Sequence, residues 1–118
     1  MTISEWQTEV HKVARDHGWY DDVTKTPRDI ASMLCNVHAE VSEALEDVRA
    51  GRMESSSLNS YSQFQIPIKP EGFPSELADI VIRVMDMAEW LGIDLEEQIK
   101  IKNEYNKTRG KRHGGKAL

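Results

Sequence analysis

Two short segments carry carboxylates at a spacing that can do chemistry. Glu40-Val41-Ser42-Glu43 is followed by Glu46 and Asp47, and Glu76-Leu77-Ala78-Asp79 is followed by Arg83 and Asp86. Acids three residues apart in a helix sit one turn apart on a shared face. The second pair keeps unusual company: Leu77, Ile80, Val81, Ile82, Val84, Met85, Ala88 and Leu91 leave little of that helix polar. A helix apolar nearly all round expects burial. Carboxylates taken into such surroundings must be neutralised, paired, or coordinated to a cation. Coordination is the option adopted here, with Glu40, Glu43, Glu76 and Asp79 as ligands. The donor set is oxygen only, and no His stands at the Glu-x-x-His spacing of di-iron bundles, which favours Mg²⁺, with Mn²⁺ as substitute, over zinc or copper. Magnesium is commonly held by protein carboxylates and substrate phosphates together, so a phosphate-bearing ligand is implied by the same chemistry.

The matching positive charge is at the other end of the chain. Net charge is −5 over 118 residues, yet residues 100–118 hold seven Lys or Arg against the single acid Glu104. Lys102, Asn106 and Arg109 fall at i, i+4, i+7 on one helical face, and Lys116 lies in the glycine-rich tail beyond. Arg suits bidentate phosphate contact, while Lys acts as a point charge. An acidic body with a basic tail suits a metal-bound polyanion. No P-loop or Gly-x-Gly-x-x-Gly is present, which excludes the mononucleotide-binding α/β designs. Cys35 is the only cysteine, so an intrachain disulfide is excluded and a small core residue on the second helix is expected. Glu5 and Glu9 interrupt the start where a signal peptide would be apolar, and the run at 77–91 falls short of a membrane span. A soluble, cytoplasmic chain of one domain is the expectation.

Four helices must position these groups. The first covers 2–17, capped by Thr2 or Ser4, with Ile3, Trp6, Val10, Val13, Ala14 and His17 at helical spacing. Gly18 ends it, and Trp19-Tyr20 follows, as a lid on the core or as a wall on which a nucleobase could stack. The second starts at Thr26-Pro27 and runs to about Ala50-Gly51. Its apolar stripe is Ile30, Met33, Leu34, Val37, Val41, Ala44, Leu45 and Val48, with Asn36, Glu40, Glu43 and Asp47 along one flank. Residues 51–74 carry serines and three prolines and read as a loop folding over a site or a subunit boundary, with a short extended piece at Phe64, Ile66 and Ile68 and with disorder as the competing possibility. The third helix begins at Pro74-Ser75 and ends at Leu91-Gly92. Asp94 caps the fourth, which frays near Gly110. The fold class is all-α, a four-helix bundle.

At this point the ordered motifs become more specific than any one of them. Glu40-x-x-Glu43, a spacer, Glu76-x-x-Asp79 with the stretch to Asp86, and Lys102-Asn-Glu-Tyr-Asn106-Lys-Thr-Arg109 through His113-Gly-Gly-Lys116 resemble the patterns of the MazG-like all-α nucleoside triphosphate pyrophosphohydrolases. The similarity spans the second helix to the C-terminus and is weaker in the first helix and the 51–74 loop. It implies Mg²⁺-dependent cleavage of a nucleoside triphosphate to the monophosphate and pyrophosphate, in the manner of a house-cleaning hydrolase of the nucleotide pool. By the same resemblance Glu40, Glu43, Glu76 and Asp79 ligate metal and Lys102, Asn106 and Arg109 contact phosphates. Glu43 is the candidate general base, Asn36 a sugar or phosphate contact, and Trp6 or Trp19 a wall for the base. Homodimers or dimer-based tetramers are implied too, which would bury the apolar third helix. Two alternatives stand beside this one: a relative specific for dUTP, dCTP or phosphoribosyl-ATP, and a non-enzymatic helical partner-binding module whose basic tail contacts nucleic acid or an acidic protein.

Overall fold

In the computed structural model, which describes residues 1–56 and 66–110, four helices account for the regular structure: α1 (Ile3–Asp16), α2 (Pro27–Arg49), α3 (Phe73–Trp90) and α4 (Leu95–Lys107). Phe64 and Lys116 lie outside the described residues. Three of the helix starts follow directly from local chemistry. The side chains of Thr2, Thr26 and Asp94 accept hydrogen bonds from the backbone N–H of Glu5, Asp29 and Glu97, satisfying donors that the first turn leaves open. Pro27 adds a preset φ at the first position of α2. No strand longer than the single bridge residue Pro67 occurs among the described residues.

The third helix starts differently from expectation. Its cap is Gly72 rather than the Pro74-Ser75 pair, with φ 107 and no side-chain cap bond. A Cβ at Gly72 would run into the carbonyl of Glu54, so only glycine permits both the dihedral and the approach. That approach joins the two ends of the 51–74 connection. Phe73 N–H donates to Arg52 O at 2.9 Å, Ser56 N–H to Glu71 O at 2.9 Å, and Glu71 N–H to Ser56 Oγ at 2.8 Å. The return limb, residues 66–72, is thereby held beside the N-terminus of α3.

Packing centres on α3, which α1 and α2 flank, while α4 meets only α1 to any extent. The four helices thus do not close into a symmetric bundle within one chain. α4 is tied at its start by Gln7 Nε2 donating to Ile93 O at 2.6 Å and Ile3 N–H donating to Glu96 Oε1 at 3.1 Å, and it buries no residue. The buried apolar set is small: Val10, Ala44, Met85, Ala88 and Trp90. Much of the expected α2 stripe stays open, including Leu34, Val41, Leu45 and Val48, as do Leu77 and Val81 on α3. Cys35 is exposed rather than in the core. The periodicity of these residues marks a face, but no element among the described residues covers it. Among the described residues no helix is long and apolar enough to cross a membrane.

Candidate metal centre

The pairing of α2 with α3 brings three of the four expected ligands together. Glu40, Glu43 and Glu76 each offer a carboxylate oxygen, and these oxygens lie within 4.8 Å of one another. Glu76 is only 7% exposed, and its Oε2 is buried with no hydrogen-bond partner among the described residues. Burial first, and then the charges of Asp79, Glu43, Asp47 and Glu40, push its carboxyl above the usual range. Asp79, one turn on, lies outside the closest trio but lines one cleft with Glu40 and Glu43. Its carboxyl is also pushed up, by burial and by Glu40, against the opposing pull of Lys69 and Arg83. A cluster of hard oxygen donors, one of them buried and unsatisfied, fits a divalent cation well: the ion would supply the partner that Glu76 lacks and offset the mutual repulsion.

Two open cavities meet at this cluster. One, about 540 Å³, is lined by Glu43, Asp47, Arg52, Lys69, Glu71 and Glu76 among others. The other, about 480 Å³, lies between α1, α2 and α3 and is lined by Trp19, Glu40, Asp79, Arg83 and Asp86 as well as Lys69. Lys69 therefore serves both, delivered by the return limb of the loop. Asp47, also 7% exposed, accepts Arg52 Nε at 2.7 Å on Oδ1, while its Oδ2 is buried and unpartnered. Arg83 donates from Nε to Glu40 Oε1 at 3.3 Å and lays its guanidinium over the Trp19 ring, 3.9 Å from the centroid.

Behind the second cavity a polar network holds the turn that carries Trp19. His11 Nδ1 is 2.8 Å from Asp86 Oδ1, and the Tyr20 ring meets His11 edge-on at 4.8 Å while leaning on Trp90 at 5.3 Å. Burial, followed by the Asp86 carboxylate, raises the Tyr20 hydroxyl pKa well above the ordinary value, so the phenol stays neutral. Asp86 is 6% exposed and has His11 as its partner, so it serves the fold rather than the acid cluster.

The remaining sequence candidates divide cleanly. Trp19 is at the second cavity, whereas Trp6 is an exposed residue of α1 that lines neither cavity. Asn36 is half-buried on α2, one turn before Glu40, and also lines neither. Lys102 and Asn106 are exposed on α4, whereas Arg109 is exposed beyond its C-cap Thr108 and so does not share the helical face expected of all three; none of them lines either cavity at the acids. Lys102 Nζ and Arg109 Cζ instead lie 5.8 and 5.9 Å from the Tyr105 ring centroid. Sequence reasoning missed Lys69, Arg52 and His11. Lys69 had a visible signal, since it is the one basic residue between Arg52 and Arg83. The other two depend on tertiary pairing that no local pattern announces.

No family model, curated protein or solved structure matches this chain.

Proposed function

We propose that the chain is a Mg²⁺-dependent nucleoside triphosphate pyrophosphohydrolase that opens the α–β phosphoanhydride with one water, releasing a monophosphate and pyrophosphate. The observation that carries this reading is the convergence of Glu40, Glu43 and Glu76 with a buried, partnerless Glu76 oxygen. Magnesium, when bound, would neutralise phosphate charge and stabilise the pyrophosphate as it leaves. Glu40, Glu43 and Glu76 would hold it, with Asp79 at the edge of the same cleft. Glu43 is the exposed member of the trio and in this reading would take a proton from the attacking water. Lys69 and Arg52, beside the acids, supply positive charge toward a polyphosphate within one chain.

A second copy of the chain would account for the features this leaves over. Leu34, Val41, Leu45 and Val48 on α2 and Leu77 and Val81 on α3 are exposed apolar side chains that a second copy would cover. Lys102, Asn106 and Arg109, unused by their own chain's clefts, would then act across the interface of a homodimer or a dimer-based tetramer. Incubation with a panel of canonical and modified nucleoside triphosphates and Mg²⁺, with products separated by anion exchange, tests the activity. Monophosphate and pyrophosphate in equal amounts are expected, and loss of both in Glu43→Gln. Diphosphate plus orthophosphate, or no turnover across the panel, would refute the proposal.

A further inference from the structure

Arg83 occupies a position that both the acid cluster and the aromatic wall need. Its Nε contact to Glu40 is 3.3 Å, longer than the 2.7 Å of Arg52 to Asp47 or the 2.8 Å of His11 to Asp86. Charge-assisted hydrogen bonds are ordinarily nearer the shorter distances. Glu40 therefore holds Arg83 loosely, while the same carboxylate is one of the three that converge. The guanidinium also covers one face of Trp19, a residue that is otherwise 43% exposed. A guanidinium held over an aromatic face is attracted by the ring quadrupole, modestly so where the site is open to solvent.

We propose that Arg83 is a positioning residue that stands in for the cation at Glu40, and that cation binding displaces it and uncovers the Trp19 face for a planar ring. The inference rests on the metal reading above and deepens it, because it makes access to the second cavity depend on the first ligand to arrive. A divalent ion shared by Glu40, Glu43 and Glu76 draws Glu40 away from Arg83 and repels the guanidinium. Arg83 is on the wall of an open cavity, so it can turn without disturbing α3. The cavity that Arg83 would leave is lined by Trp19, Ile82 and Lys69, an aromatic ring with aliphatic and cationic neighbours, which is the chemistry that receives a nucleobase. Ordered binding follows, with the cation before the ring.

Acrylamide quenching of tryptophan fluorescence with Mg²⁺ alone tests the coupling, alongside calorimetric titration of Mg²⁺. In the wild-type chain Mg²⁺ should increase the quenching constant, and Trp19→Phe should remove the increase. Arg83→Met should show the high quenching constant without Mg²⁺ and bind Mg²⁺ more tightly by a factor on the order of three to ten, as expected for loss of one competing charge contact. Should Arg83→Met bind Mg²⁺ more weakly, Arg83 organises Glu40 instead of competing for it, and the proposal falls. Calorimetric binding with an unresponsive Trp19 overturns the coupling while leaving the metal site standing; the absence of any Mg²⁺ binding removes both. If Arg83→Met fails to fold by circular dichroism, the comparison of wild type with Trp19→Phe still decides the matter.

Discussion

Replacing Glu76 by Gln removes one charge at the most confined point of the acid cluster and changes little else, since the amide is isosteric with the carboxyl. Carboxylate oxygens in the trio are no more than 4.8 Å apart. At that distance a like-charge pair costs roughly 1 kcal/mol at the dielectric of water and roughly 3 kcal/mol at an effective dielectric near 20. The clefts are open to solvent although Glu76 itself is buried, so the lower figure is a floor, and two pairs within the trio give at least about 2 kcal/mol. A domain of this size shifts in melting temperature by roughly 4 °C per kcal/mol, so metal-free Glu76→Gln should melt at least about 8 °C above wild type. Magnesium at a hundred times its dissociation constant stabilises by about 2.7 kcal/mol, which for wild type is a rise on the order of 10 °C. The variant should keep only a small part of that rise. Far-UV circular dichroism melts at neutral pH, with NaCl balancing ionic strength in the metal-free sample, read both numbers. A metal-free variant that melts lower than wild type, or one whose response to Mg²⁺ is undiminished, refutes the assignment.

Other perturbations test separate parts of the account. Glu76 and Asp79 have carboxyls raised above their unfolded values, so their ionisation penalises the folded state; the penalty is absent below the unfolded pKa and complete above the folded one. Metal-free stability should therefore fall as pH rises through the carboxylate range, and stabilisation by Mg²⁺ should grow over the same interval, as melts at stepped pH will show. Arg109→Ala should raise KM for a nucleoside triphosphate by roughly tenfold or more, the loss of one charge-assisted contact, with Mg²⁺ affinity unchanged by calorimetry; equal loss of both would remove Arg109 from a phosphate role. His11→Ala leaves Asp86 buried without its partner and should cost about 3 kcal/mol in urea unfolding; a change under about 0.5 kcal/mol, the ordinary scatter of surface substitutions, would show that the pair contributes nothing. Gly72→Ala should destabilise by roughly 1–3 kcal/mol because φ is 107 and the Glu54 carbonyl is in the way, and an unchanged urea midpoint would show that the loop ends are not held as described.

Much of the fold was legible because its signals are local. Thr2, Thr26 and Asp94 announce their helices by side-chain capping, and i, i+3 spacing puts Glu40 and Glu43 on one face of α2, where Glu76 of α3 meets them. The less legible features depend on which face meets which neighbour. Cys35 and Leu34 sit at helical positions that pattern alone assigns to a core, yet α4 packs along α1 and nothing among the described residues covers them. Lys69 reaches the acids only because Gly72 and the paired ends of the loop fold its limb back, and Arg83 finds Trp19 only through the turn held by His11, Asp86 and Tyr20. The placement of Asp79 beside the closest trio rather than within it is likewise a matter of how two helices are rotated, which sequence spacing leaves free.

Anomalous diffraction from crystals of the chain grown with Mn²⁺ addresses the metal assignment without passing through activity. A manganese peak bonded to oxygens of Glu40, Glu43 and Glu76, between α2 and α3, is the predicted result. Well-ordered acid side chains with no peak among them at millimolar Mn²⁺, or a peak only at surface carboxylates elsewhere, would contradict it.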